Sequence, residues 1–191
     1  MGARETGQPP KPCCRTCAPE GRRYRGDRRG SVLAAKTATS TVPIVGVDLE
    51  TDPVASGLVA SLARPGGNIT GLFLDQADMA GKWLQLLREV LPAAQRLAVL
   101  WDVNTGPWQR NAIVAVAKAK SVDVRVLEVR DLAGLEGVLT LGLKDRPQGM
   151  VQLGSPLFSQ FGSRIAELLA PHRLPAISSY REFSTNGGLM S

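Results

Sequence analysis

Residues 97–129 read LAVLWDVNTGPWQRNAIVAVAKAKSVDVRVLEV, and their pattern decides the fold. Residues 97–101 form a continuous apolar run, the mark of a strand buried on both faces. Pro107 is placed to open a helix, where its missing N–H is no loss, and Ile113, Val114 and Ala117 supply that helix's apolar stripe. Residues 122–129 return to β-branched, strand-like sequence. Strand, helix and strand in this order predict a βαβ unit, which needs a parallel sheet with helices on its faces.

The same rhythm extends in both directions. Upstream, residues 32–38 read as a short helix and 41–47 as an apolar strand with Pro43 near its start. Residues 54–62 predict a second helix with Val54, Leu58 and Leu62 on one face, broken by Arg64-Pro65-Gly66-Gly67-Asn68 before the extended 69–74. Trp83, Leu84, Leu87, Val90 and Leu91 recur at helical spacing up to Pro92. Downstream, Leu132, Leu135, Val138 and Leu139 mark a helix, and 150–153 a short strand. Phe158, Phe161, Ile165, Leu168 and Leu169 form one strong helical face, and 175–177 begin another strand. The fold class is α/β, with parallel sheets and flanking helices.

Composition narrows the function. The chain of 191 residues is 43% hydrophobic, as expected of a globular protein. It has no stretch near the roughly 18 apolar residues of a membrane span. The first residues carry no apolar h-region, so the reading expects no signal peptide of the usual kind. The net charge of +6 is local: residues 1–30 carry eight basic and three acidic side chains, whereas 31–191 carry 15 and 14. A basic balance supplied by one short segment gives no reason to expect a nucleic-acid partner. Residues 1–30 also hold four prolines, five glycines and all three cysteines, and are expected to be a disordered basic head. Cys13, Cys14 and Cys17 form Cys-Cys-x-x-Cys without a second pair, and the single histidine, His172, is far away in sequence. The pattern favours incidental thiols over zinc or a redox pair, and no metal or cofactor is expected.

In a parallel sheet, ligands meet the residues just beyond the carboxyl ends of the strands. Asp48, Glu50 and Asp52 follow one strand; Asp102, Asn104 and Thr105 another; Gly154 and Ser155 a third; Ser178, Ser179 and Tyr180 a fourth. From these, Asp52, Asn104, Ser155 and Tyr180 are the candidate ligand-binding residues, suited to hydrogen-bonding a small polar solute whose apolar part packs on the ring. A zwitterion would suit them, its carboxylate taking donors from Ser, Asn and backbone N–H groups and its ammonium facing Asp52. Asp52 and Ser155 precede prolines at helix starts, where capping alone accounts for either. Catalysis finds no footing. There is no Gly-x-Ser-x-Gly elbow, no phosphate loop and no Gly-x-Gly-x-x-Gly after a strand, and His172 at a helix end needs no chemistry to explain it. No catalytic residue is assigned.

The run from Asp52-Pro53-Val54-Ala55-Ser56-Gly57 through Arg64-Pro65-Gly66-Gly67-Asn68-Ile69-Thr70-Gly71 closely resembles the signature of bacterial ABC-transporter substrate-binding proteins of the TrpX-like group. So do Leu174-Pro175-Ala176-Ile177, Arg181-Glu182-Phe183 and Gly187-Gly188-Leu189-Met190-Ser191, with Gly81-Lys82 and Leu86-Leu87-Arg88-Glu89-Val90-Leu91-Pro92 between them. The resemblance covers about 31–191. It implies a type I periplasmic-binding-protein fold, two Rossmann-like lobes closing over a small solute such as an amino acid. It further implies delivery to an ABC permease and its ATPase, and a periplasmic or lipid-anchored location. The lack of a signal sequence leaves a cytoplasmic location open for this chain. On the family pattern, 31–72 are a remnant of the first lobe with its hinge, 73–180 the second lobe, and 181–191 a return toward the first. The family's first-lobe strand is missing or scrambled in 26–31, so the resemblance implies an incomplete first lobe and impaired solute capture. Two other readings stand beside it: an intracellular ligand-sensing regulatory module, which shares the lobe architecture but for which 1–30 lack a helix-turn-helix pattern, and a small α/β enzyme, for which a nucleophile, metal set and phosphate loop are wanting.

Overall fold

The computed structural model describes residues 24–26, 29–48, 52–73 and 76–191. Cys13, Cys14, Cys17 and Glu50 lie outside the described residues, and with them the readings made of residues 1–23. The chain forms two parallel sheets with flanking helices, a two-lobed α/β arrangement.

The first sheet has the order β1-β2-β3, from β1 (Tyr24–Gly26), β2 (Ile44–Asp48) and β3 (Ile69–Phe73). Helix α1 (Arg29–Ala38) connects β1 to β2. A short strand thus stands at Tyr24–Gly26, at the upstream edge of 26–31. Tyr24, Arg25 and Gly26 have no apolar pattern of their own and are held by parallel pairing with Ile44, Val45 and Gly46. Val32, Ala35, Ile44, Leu58 and Ile69 make a small core under α1. Gly71 pairs with Gly46, and a Cβ on Gly71 would fall 1.9 Å from the Gly46 carbonyl oxygen, so only glycine fits there.

The helix expected over 54–62 is a single turn. Leu58 N–H bonds to Pro53 O at 2.9 Å and Gly57 N–H to Val54 O at 2.9 Å, the paired bonds that close a helix end around a left-handed residue. Gly57, at φ +69°, is that residue. Leu58 is consequently buried while Leu62 is 64% exposed.

The second sheet has the order β5-β4-β6-β7, all parallel. Its strands are β4 (Arg96–Asp102), β5 (Asp123–Val129), β6 (Gly149–Gln152) and β7 (Ala176–Ser178). Alternation along β4 sends Leu97, Val99 and Trp101 to one face, and Ala98 and Leu100 to the other. The first face is covered by α2 (Gln76–Val90) and α3 (Trp108–Ala119), through Trp83, Leu84, Leu87, Ile113 and Ala117. The second is covered by α4 (Leu132–Leu143), α5 (Pro156–Gln160), α6 (Gly162–Leu169) and α7 (Arg181–Thr185), through Leu135, Leu139, Phe158, Ile165, Leu169 and Phe183. The single helix read across 158–169 is two, divided at Phe161, whose φ −113° and ψ 23° leave helical geometry. Residues 181–191, expected to return toward the first lobe, stay with this sheet: Phe183 is buried in its core, and Met190 exchanges backbone bonds with Ala176 and Ser178 beside β7.

Candidate functional site

The strand order fixes where a site can form. From β4 the chain leaves over one face through α3 to β5, and from β6 it leaves over the other through α5 and α6 to β7. Adjacent parallel strands whose connections part to opposite faces open a crevice beyond their carboxyl ends. Among the described residues, all six buried polar side chains (Asp102, Thr105, Gln109, Gln152, Ser155 and Ser178) stand at this rim.

Asp102 ends β4 and is 3% exposed. Its Oδ1 accepts from the backbone N–H and the side-chain amide of Asn104, both at 2.9 Å, and its Oδ2 accepts from the Ser155 hydroxyl at 2.6 Å. Asp102 is in no ion pair among the described residues, so three neutral donors hold the carboxylate. Ser155 also accepts from Leu157 N–H at 3.0 Å, capping α5, so one fully buried hydroxyl joins the β4 and β6 loops. Gln109, in the first turn of α3, makes a second brace. Its amide donates to Gly154 O at 3.1 Å and accepts from Gly154 N–H at 2.8 Å. At the ends of β6 and β7, Gln152 Nε2 donates to Ser178 Oγ at 3.0 Å, and Ser178 Oγ takes Tyr180 N–H at 3.2 Å.

Of the four candidates read from sequence, the structure joins Asn104 and Ser155 through Asp102. Asn104 is exposed, but both N–H bonds of its amide are engaged, by Asp102 and by Arg130 O at 2.9 Å. Tyr180 is half-buried and packs against the core under α4 to α7. Asp52 stands in the first lobe, where its Oδ1 accepts from Val54 N–H at 2.8 Å and Ala55 N–H at 3.0 Å. Asp102, one of the polar residues expected after β4, is the centre of the network, and Gln109 and Gln152 join it at the rim without having been candidates. Both left a signal. Gln109 continues the Ile113 and Ala117 stripe at i−4 spacing, and Gln152 interrupts the apolar run 150–153. A polar residue at a core position needs a partner. Gln109 has Gly154 on the loop after β6, and Gln152 has Ser178 at the end of β7 for its Nε2, while its Oε1 has no hydrogen-bond partner among the described residues.

Beside the crevice, Trp101 donates its indole N–H to Gly106 O at 2.9 Å. Gly106 has φ +82°, and a Cβ on it would lie 2.0 Å from the Trp108 ring. The Arg110 guanidinium lies 4.6 Å from the Trp101 ring centroid.

No three or more His, Cys, Asp or Glu side chains among the described residues cluster to hold a metal, and no helix among them is long and apolar enough to cross a membrane. Two all-parallel lobes with their polar groups gathered at a strand rim are the architecture of substrate-binding proteins. A model of the family described as ABC transporter substrate binding protein matches residues 30–191, and the chain belongs to that family. A tyrosine-binding protein of Clostridioides difficile (strain R20291) is 37% identical over 78 residues, covering 39% of this chain and 21% of that protein. Among solved structures, an ABC domain in complex with L-Trp from Streptococcus pneumonia superposes with a TM-score of 0.78 at 18% identity, covering 89% of this chain and 59% of that one. A conserved domain protein from Vibrio cholerae gives 0.78 at 19% identity, covering 87% and 55%. The chain thus spans between a half and three fifths of those structures and about a fifth of the curated relative. The fold is that of periplasmic-binding-protein-like type I proteins.

Proposed function

We propose that this chain binds an amino acid, as in the TrpX-like group, and presents it on the outer face of a membrane to an ABC permease driven by an ATPase. The observation that carries the reading is the gathering of buried polar side chains at the crevice beyond β4 and β6. An apolar strand end has no need of them, and a polar solute does. In this proposal Asn104 meets the solute through its side-chain oxygen, since its N–H donors are engaged. Tyr180 packs on the apolar part, Ser155 holds the rim loops through Asp102, and Asp52 supplies a carboxylate from the first lobe. The tyrosine-binding relative of C. difficile and the L-Trp in the streptococcal structure support an aromatic amino acid.

Calorimetric titration of the full chain with each of the twenty amino acids tests the reading. Saturable heat for one or a few is expected, and silence across the panel overturns it. Asp52→Ala, Asn104→Ala, Ser155→Ala and Tyr180→Ala follow, and unchanged affinity in all four removes the residue assignment.

A further inference from the structure

An amino acid brings a carboxylate, and several side-chain donors at the strand rim are already engaged, although the buried Ser179 hydroxyl there has no hydrogen-bond partner among the described residues. The Ser155 hydroxyl donates to Asp102, both Asn104 amide N–H bonds are taken, and the Gln109 amide is tied to Gly154. Beside these neutral groups stands a charged donor set that its neighbours hold. Arg110 follows Gln109 in the first turn of α3, and its Nε and Nη2 donate to Asn111 Oδ1 at 3.1 and 2.8 Å. That engages one side of the guanidinium and leaves the Nη1/Nη2 end, the edge that takes a carboxylate through two parallel bonds. Arg110 is half-buried and in no ion pair among the described residues, unlike Arg125 with Asp145 or Arg164 with Glu136 and Glu167. The group is also held in place. Its Cζ lies over the ring of Trp101, whose indole N–H is fixed to Gly106 O, and Gly106 in turn is packed against Trp108. A cation positioned by its neighbours loses little freedom on meeting an anion.

We propose that Arg110, seated on Trp101, binds the α-carboxylate of the solute and makes this a site for carboxylate-bearing ligands. The inference rests on the amino-acid reading above and adds to it the residue that recognises the acid group. The test compares an amino acid that binds in the calorimetric panel with the amine that lacks only its α-carboxyl group, L-tyrosine with tyramine or L-tryptophan with tryptamine. The full chain is titrated as wild type, Arg110→Met and Arg110→Lys. Arg110→Met is expected to weaken the amino acid about 10- to 100-fold while moving the amine by no more than about twofold. Arg110→Lys keeps the charge without the fork and should recover part of the loss. A merely structural role would weaken acid and amine alike, and that result overturns the proposal, as does unchanged amino-acid affinity in Arg110→Met. Should Arg110→Met fail to fold, the wild-type pair still decides: amine and amino acid binding equally well overturns it. If no amino acid binds at all, the solute reading itself falls and takes this one with it.

Discussion

The β4–β7 sheet is packed on both faces, by clusters of fourteen and thirteen buried apolar residues, whereas the described residues around the β1–β3 sheet bury five, under α1 and the turn that ends at Leu58. On the face away from α1, Val45 and Val47 are half-buried and Leu72 is 70% exposed. Both sheets are parallel and both are β-branched, so strand chemistry does not separate them. What separates them is how much protein each strand has above and below it. A parallel sheet draws its stability from two helix layers, and with one layer the opening free energy of its strands falls toward that of a loop.

The largest test of this contrast is Phe158→Ala. Phe158 is fully buried between α5 and the sheet, and its loss should cost about 3–5 kcal/mol in guanidinium denaturation. A loss under about 1 kcal/mol would mean that this side is loosely packed too and would break the comparison. Next comes Asp102→Ala, which leaves the buried Ser155 hydroxyl without its acceptor and releases Asn104, for about 1–3 kcal/mol. Hydrogen exchange should quicken at 103–109 and 154–157 while α4 is unchanged; uniform quickening would deny Asp102 its local role. In the first lobe, Ile44→Val should cost about 0.5–1.5 kcal/mol. Its effect should appear as faster exchange in β2 and β3 with β4 untouched, and equal acceleration in both sheets would show that they open as one unit. The smallest effect belongs to Leu72→Thr, on the face that the described residues leave open, expected within about 0.5 kcal/mol of wild type by thermal denaturation. A larger loss would reveal a layer over that face.

The same contrast explains what could be read in advance. β4 and α3 were legible because a run such as Leu97–Leu100 and a stripe such as Ile113 and Ala117 advertise burial on their own. β1 was not, because Tyr24, Arg25 and Gly26 owe their place to ladder bonds with β2, and a backbone bond leaves no mark in side-chain chemistry. The false helix at 54–62 came from weighing Val54, Leu58 and Leu62 above Gly57, whose positive φ closes the first turn. At the site, short polar residues after strands pointed to the right rim, since topology alone places them there. Their partners were beyond reach. Nothing in sequence says that Ser155 reaches Asp102 across 53 positions, or that Gln109 reaches Gly154 across 45. Those bonds exist because β4 and β6 are neighbours, and the crossing through β5 hides that adjacency from the order of residues.

Met190 bears on how the molecule behaves among its own kind. A parallel sheet with a bare outer strand invites a stranger to extend it, and β7 would present such a row of backbone groups. Met190 occupies that row, receiving Ser178 N–H and donating to Ala176 O at 3.1 and 3.3 Å. The opposite border, β5, is guarded by charge instead, with Asp123, Arg125 and Glu128 all exposed. One border is thus closed by the chain itself and the other made uninviting to a strand that would bury those charges.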